Sequence, residues 1–169
     1  MLSEIISHIR DREYMSGVER DRNRVKATGE VFTPTPLVQE MLDQLPEDLF
    51  RDPAKTFLDN SCGDGQFLGE VLIRKMENGS TFEQALQSIY GVDLMPDNVE
   101  ECQRRLLCGR EDLRHIVENN IVCADALKYH YRFEYGDWLT MPYQSWRELR
   151  RAVMAAKANG YKYQKVSAE

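Results

Sequence analysis

The sequence predicts an α/β fold built on an abbreviated, mostly parallel sheet with a helical N-terminal extension. Short apolar runs alternate with segments of helical periodicity, three of those runs close on an aspartate, and Gly, Pro and Asn punctuate the joints. Strands separated by helices pair in parallel, because a parallel connection needs a dozen or more residues and is usually a helix. With 169 residues, 42% of them hydrophobic, the chain can bury about 70% of its unfolded surface as one domain without disulfides or metals.

Each element follows from a local signal. Residues 3–20 read as a short polar helix with Ile5, Ile6, Ile9 and Tyr14 in one narrow stripe, and residues 11–26 are nearly all charged or polar. Residues 1–26 therefore read as an arm or partner-binding extension, 27–160 as the folded domain and 161–169 as a basic tail. Thr35 offers an N-cap with Pro36 at the first helical position, and Leu37, Val38, Met41, Leu42 and Leu45 recur at helical spacing until Pro46. Thr56–Asp59 reads as a buried strand and Asn60–Gly65 as a turn. From Gln66 a helix follows with Phe67, Leu68, Val71, Leu72 and Met76 inward, closed by Asn78-Gly79. Thr81 caps a short helix over 82–88, and Ile89–Asp93 is a second strand. Pro96 and Asp97 open a helix carrying Val99, Cys102 and Leu106, and Ile121–Asp125 is a third strand.

Composition narrows the function classes. No run of about 18 apolar residues occurs, and the N-terminus is amphipathic rather than a signal peptide, so a cytoplasmic protein without membrane contact is expected. Cys62, Cys102, Cys108 and Cys123 form no Cys-x-x-Cys pair, and only His8, His115 and His130 are scattered among them. That points to reduced, mostly buried thiols rather than a zinc site or disulfide framework. The net charge of -6 is uneven: residues 31–127 hold eight basic against eighteen acidic side chains, residues 128–169 eight against four. That basic C-terminal region, with Tyr129, Tyr131, Trp138, Tyr143, Trp146, Tyr161 and Tyr163 interleaved, reads either as a DNA contact whose aromatics stack on bases or as a solvated helix with a loose terminus. An acidic protein gains little from general phosphate attraction.

The chemistry concentrates at the strand ends. In a parallel sheet Asp59, Asp93 and Asp125 lie along one edge, where ligands bind. Gly63 and Gly65 let the backbone turn tightly and approach a ligand, while the next helix aims its free N–H groups and positive dipole end at the same place. Asp93 stands where a carboxylate accepts from two ribose hydroxyls, and Asp125 where one accepts from an adenine amino group.

These residues resemble a known family, the class I S-adenosylmethionine-dependent methyltransferases, and within it the N6-adenine DNA methyltransferases of restriction-modification systems. Thr28-Gly29-Glu30-Val31-Phe32-Thr33-Pro34 is similar to the family's N-terminal cofactor motif, whose Thr-Pro pair sits against the methionine end of the cofactor. Asp59-Asn60-Ser61-Cys62-Gly63-Asp64-Gly65-Gln66-Phe67-Leu68 resembles its Asp-Pro-x-x-Gly-x-Gly-x-Phe-Leu loop, with Asn60 replacing the usual Pro. Tyr90-Gly91-Val92-Asp93-Leu94 resembles the ribose-binding strand and Cys123-Ala124-Asp125-Ala126-Leu127 the adenine-binding one. The resemblance implies a Rossmann-like three-layer sandwich that binds S-adenosylmethionine or S-adenosylhomocysteine. It implies cofactor contacts at Phe32, Thr33, Pro34, Asp59, Cys62, Gly63, Gly65, Phe67, Asp93, Leu94, Asp125 and Ala126.

One departure stands out. The family carries Asn-Pro-Pro-Tyr after a fourth strand, where the Asn side-chain oxygen and a backbone carbonyl accept from the target amine and the Tyr stacks on the flipped base. Here Thr140-Met141-Pro142-Tyr143 stands in that place, making Thr140, Pro142 and Tyr143 the degenerate counterparts of the catalytic motif. A threonine hydroxyl offers neither the carbonyl geometry nor a planar amide. The residues after the third strand suffice for one further strand and helix, whereas the resemblance implies more strands and a target-recognition domain. The expectation is a truncated, S-adenosylmethionine-binding protein without autonomous catalysis, serving as a subunit or accessory in DNA modification or restriction. Its open sheet edge invites a homodimer or a catalytic partner. An active adenine methyltransferase and a non-catalytic decoy of restriction enzymes are the alternatives. Small stand-alone versions of this pattern resemble those of bacteriophages and mobile elements.

Overall fold

The computed structural model describes residues 2–10 and 33–131. Its elements are α1 (Leu2–Arg10), α2 (Thr35–Asp43), α3 (Asp48–Arg51), β1 (Phe57–Asp59), α4 (Gln66–Glu77), α5 (Phe82–Gln87), β2 (Ile89–Asp93), α6 (Pro96–Leu107), α7 (Arg114–Asn120) and β3 (Ile121–Cys123). The sheet runs β1-β2-β3 with both pairs parallel. Phe57 stands opposite Ile89, and Gly91 opposite Ile121, so the C-terminal ends of β1 and β2 share one edge. The mixed α/β fold with a small parallel sheet is therefore as the sequence predicts.

Residues alternate across β2 because strand side chains have a period of two. Ile89 joins the main core, while Tyr90 and Val92 face the other side with Tyr131. The main core gathers around α4, whose Leu68, Val71, Leu72 and Ile73 are at most 2% exposed. Beyond the apolar residues the sequence marks in this helix, Glu70 and Lys75 are buried as well. The reason is that α1 and α2 cover the face of α4 that a two-layer arrangement leaves to water. Arg10 neutralises Glu70 with two parallel bonds of 2.9 and 2.8 Å, and Gln39 adds a third at 3.1 Å. Lys75 Nζ donates to the carbonyls of Asp52 and Lys55 at 3.1 and 2.5 Å, tying the turn before β1 to α4. Lys75→Met keeps the stem and deletes the charge, leaving those carbonyls short of a donor. It is expected to cost about 1.5–3 kcal/mol, read as a lowered denaturation midpoint at unchanged denaturant slope.

Several boundaries differ from the sequence reading. α1 is docked rather than a free arm: Ile5 and Ile9 are core residues, packed on α4 and α6. β1 is only half-buried rather than a buried strand, with Leu58 39% exposed, and among the described residues it is the edge of the sheet. α2 begins at Thr35 with Pro34 at the N-cap, because Thr35 Oγ1 accepts from Gln66 Nε2 at 2.6 Å instead of capping its own helix. β3 stops at Cys123, two residues short of Asp125. The short helices α3 and α7 lacked a long enough periodic signal to be foreseen. Thr81 does cap α5, in a reciprocal pair with Gln84. Among the described residues no helix is long and apolar enough to cross a membrane.

Candidate functional site

The site lies at the C-terminal ends of the parallel strands, where β1 passes into α4 through Asn60–Gly65. Three backbone bonds shape this loop. Cys62 N–H donates to Val92 O at 3.1 Å, Gly65 N–H to Cys62 O at 2.8 Å, and Gly63 N–H to the Asp93 carboxylate at 3.0 Å. The loop thus folds back over the end of β2. Gly65 is the N-cap of α4 at φ 85, and no side chain caps this helix. The first N–H groups of α4 have no partner within the helix and face the strand ends with the positive end of its dipole.

Asp93 sits at the centre and does structural work. One oxygen accepts from Gly63 N–H; the other accepts from Met95 N–H at 2.9 Å and Asn98 Nδ2 at 3.2 Å. A carboxylate has about four acceptor positions, so Asp93 retains room for one ribose hydroxyl rather than the two the sequence suggests. Asp59 accepts from Ser61 N–H at 3.0 Å. Burial pushes the Asp59 carboxyl up, the Ser61 N–H works against it, and the charge of Asp93 raises it further. Among the described residues neither aspartate is paired with a cation.

That has a pH consequence. With its folded pKa above the unfolded value, Asp59 binds its proton more tightly in the folded state. Its contribution to stability is present at acidic pH and lost as pH rises through the raised pKa. Asp59→Asn keeps the acceptor for Ser61 and removes the misplaced charge. The variant is expected to melt higher than the wild type at neutral pH, with the difference vanishing below the ordinary carboxylate range; Tm measured across pH checks this.

The other sequence candidates are placed as follows. Asp125 lies beyond β3, accepts from Leu127 N–H at 3.0 Å and pairs with Lys128 at 2.9 Å, so its carboxylate shapes its own turn. Ala126 is half-buried and its carbonyl accepts from Tyr131 Oη at 2.9 Å. Cys62 is buried with its side chain toward Gly91, which removes its thiol from ligand contact, and Phe67 is partly buried against the core. The Cys102 thiol and burial push the Cys62 thiol up, which keeps it protonated and unreactive. Leu94 and Leu127 are 60% and 68% exposed after β2 and β3, and of the four free cysteines expected to be mostly buried Cys62 and Cys102 are buried, Cys108 is half-buried and Cys123 is exposed. Thr33 and Pro34 precede α2, tied to the start of α4 by the Thr35–Gln66 bond. Phe32, Thr140, Pro142, Tyr143 and the basic aromatic region beyond Tyr131 lie outside the described residues. Asn98, Gln66 and Arg105 were missed, although helical spacing marks Arg105: it lies three residues after Cys102 and beside Leu106 on the flank of the inward face, whereas the exposed Arg104 lies opposite.

A cavity of about 580 Å³ lies at the far end of α4, lined by Arg10, Gln39, Asp43, Phe50, Glu70 and Arg74 among others. Its buried charges are satisfied by one another. Among the described residues no cluster of three or more His, Cys, Asp or Glu is placed to hold a metal ion. No protein-family model matches the chain, and no curated protein matches it significantly.

Proposed function

We propose that the protein binds S-adenosylmethionine at the C-terminal edge of its sheet through a Rossmann-like, methyltransferase-type site. On this reading it serves in the cytoplasm as a subunit or accessory of a DNA modification or restriction system rather than as an autonomous enzyme. The observation that carries the reading is the tether of Gly63 N–H to Asp93, which joins the glycine loop after β1 to the acidic end of β2.

The residues fit the chemistry of that ligand. The α4 N-terminus, uncapped by any side chain, suits the carboxylate of the methionine moiety. Asp59 and Asp93, without cationic partners among the described residues, suit its ammonium and sulfonium charges. Asp93 retains an acceptor position for a ribose hydroxyl, and the exposed Leu94 and Leu127 offer apolar surface for a purine ring. When bound, S-adenosylmethionine supplies an electrophilic methyl on a cationic sulfur. The chain's own residues bind and orient it; Thr140, in place of the family's Asn, cannot present an amide carbonyl to an adenine amine, which is why a partner or second copy is assigned the chemistry. The basic aromatic C-terminal region is the segment proposed to touch DNA.

Calorimetric titration with S-adenosylmethionine and S-adenosylhomocysteine tests this. Saturable heat is expected, together with protection of the exposed Cys123 thiol from alkylation. No heat with either compound refutes the proposal, and methyl transfer to DNA by the isolated chain refutes its accessory part.

A further inference from the structure

Behind the glycine loop stands a buried cation with partners on every nitrogen. Arg105 of α6 is 3% exposed, and each of its three guanidinium nitrogens donates to an acceptor. Nε and one Nη2 hydrogen point at the Ile9 carbonyl of α1, at 3.2 and 2.9 Å, and the other Nη2 hydrogen at Gln66 Oε1 at 2.5 Å. Nη1 faces the Asp64 carbonyl at 3.5 Å and its carboxylate at 3.4 Å. Gln66, itself buried, passes the link on by donating to Thr35 Oγ1 at 2.6 Å.

The chain of contacts therefore begins on the last turn of α1, passes through the guanidinium to the middle of the glycine loop, and ends on the first residue of α2. These are two of the segments assigned above to ligand contact. Burying an arginine is costly unless it is hydrogen-bonded and paired, and the partners here fix geometry: the fork reaches two carbonyls, an amide and a carboxylate at once, which an ammonium cannot do. The approach is close as well, since a Cβ on Gly69 stands 2.8 Å from Ile9 Cγ2, so α1 rests directly on α4.

We propose that Arg105 is a positioning residue for this site, anchored on the Ile9 carbonyl and holding the Asp64–Gln66 part of the glycine loop and the Thr33–Thr35 segment at one fixed spacing. Its role in ligand affinity rests on the S-adenosylmethionine reading; its role in ordering the loop does not.

The test uses the full chain and two readouts. Amide hydrogen exchange of residues 61–68 is measured without ligand, and the Kd for S-adenosylhomocysteine by calorimetry. Arg105→Lys keeps the charge but not the fork. It is expected to speed exchange in 61–68 by tenfold or more, against little change in β2, and to raise Kd by tenfold or more. Thr35→Val cuts only the last link and leaves the charge in place; it is expected to raise Kd three- to fivefold with a fall in Tm smaller than that of Arg105→Lys, and it decides the matter if Arg105 variants do not fold. Lysine restoring wild-type exchange and affinity overturns the proposal, as does Thr35→Val binding like the wild type while the wild type itself binds. A wild type that binds no S-adenosylhomocysteine overturns the ligand reading alone, and the exchange measurement then stands as the test of the loop-ordering role.

Discussion

Asp93→Ala is expected to abolish measurable binding of S-adenosylmethionine, with Kd rising at least a hundredfold, and to lower stability at the same time. The carboxylate ties Gly63 N–H and Met95 N–H together across the ends of β1 and β2 and receives Asn98 as well. Its removal strands two backbone donors, each at a cost of about 1–3 kcal/mol where water is excluded, and releases the glycine loop from β2. Asp93→Asn separates the two roles. An amide oxygen can still accept from one of the donors but carries no charge and turns an NH2 toward the other. It is expected to retain more stability than alanine while losing most affinity for the cationic ligand. Calorimetry paired with thermal melts reads both effects; Asp93→Ala binding within threefold of the wild type removes Asp93 from the site.

The second large effect is expected at Gly65. Its φ of 85 lies in the left-handed region, and an added Cβ stands 2.7 Å from Cys102 Sγ and 3.5 Å from Cys102 Cα. The Cα is at ordinary contact distance, so the clash is with the sulfur, which must shift within a fully buried site; Gly65→Ala therefore combines conformational strain of about 1–3 kcal/mol with overpacking of similar size. The helix N-terminus that faces the ligand moves with it, and binding is expected to fall tenfold or more. Combining Gly65→Ala with Cys102→Ala removes the steric part and leaves the strain. The pair should therefore be non-additive, the double variant being more stable than the two single losses summed. Full additivity in chemical denaturation places the cost in φ alone.

Much of this was legible in the sequence because it depends on local chemistry. Thr81 and Gln84 form their capping pair within one turn, the Gly63 and Gly65 positions announce a tight loop, and helices between apolar runs force parallel pairing. The aspartates at 59 and 93 fall at strand ends, where each carboxylate accepts from the backbone N–H two residues on. What stayed hidden depends on where an element ends and on partners far along the chain. Asp125 looked equivalent to the other two, yet β3 ends before it and Lys128 claims it. The narrow apolar stripe of residues 3–20 and the charged run over 11–26 suggested an arm, but a bidentate Arg10–Glu70 pair and the Ile9 carbonyl under Arg105 hold α1 in the core.

The sequence by itself determined the alternation of strands and helices, the glycine loop and the acidic strand ends, since spacing and residue type set these within a few residues. Only the tertiary structure decided what each charge does. Asp93 is drawn into bonding the loop, and Arg105 into bonding the Ile9 carbonyl, because a desolvated ion must find complementary groups, and which groups lie near is settled by packing between elements distant in sequence.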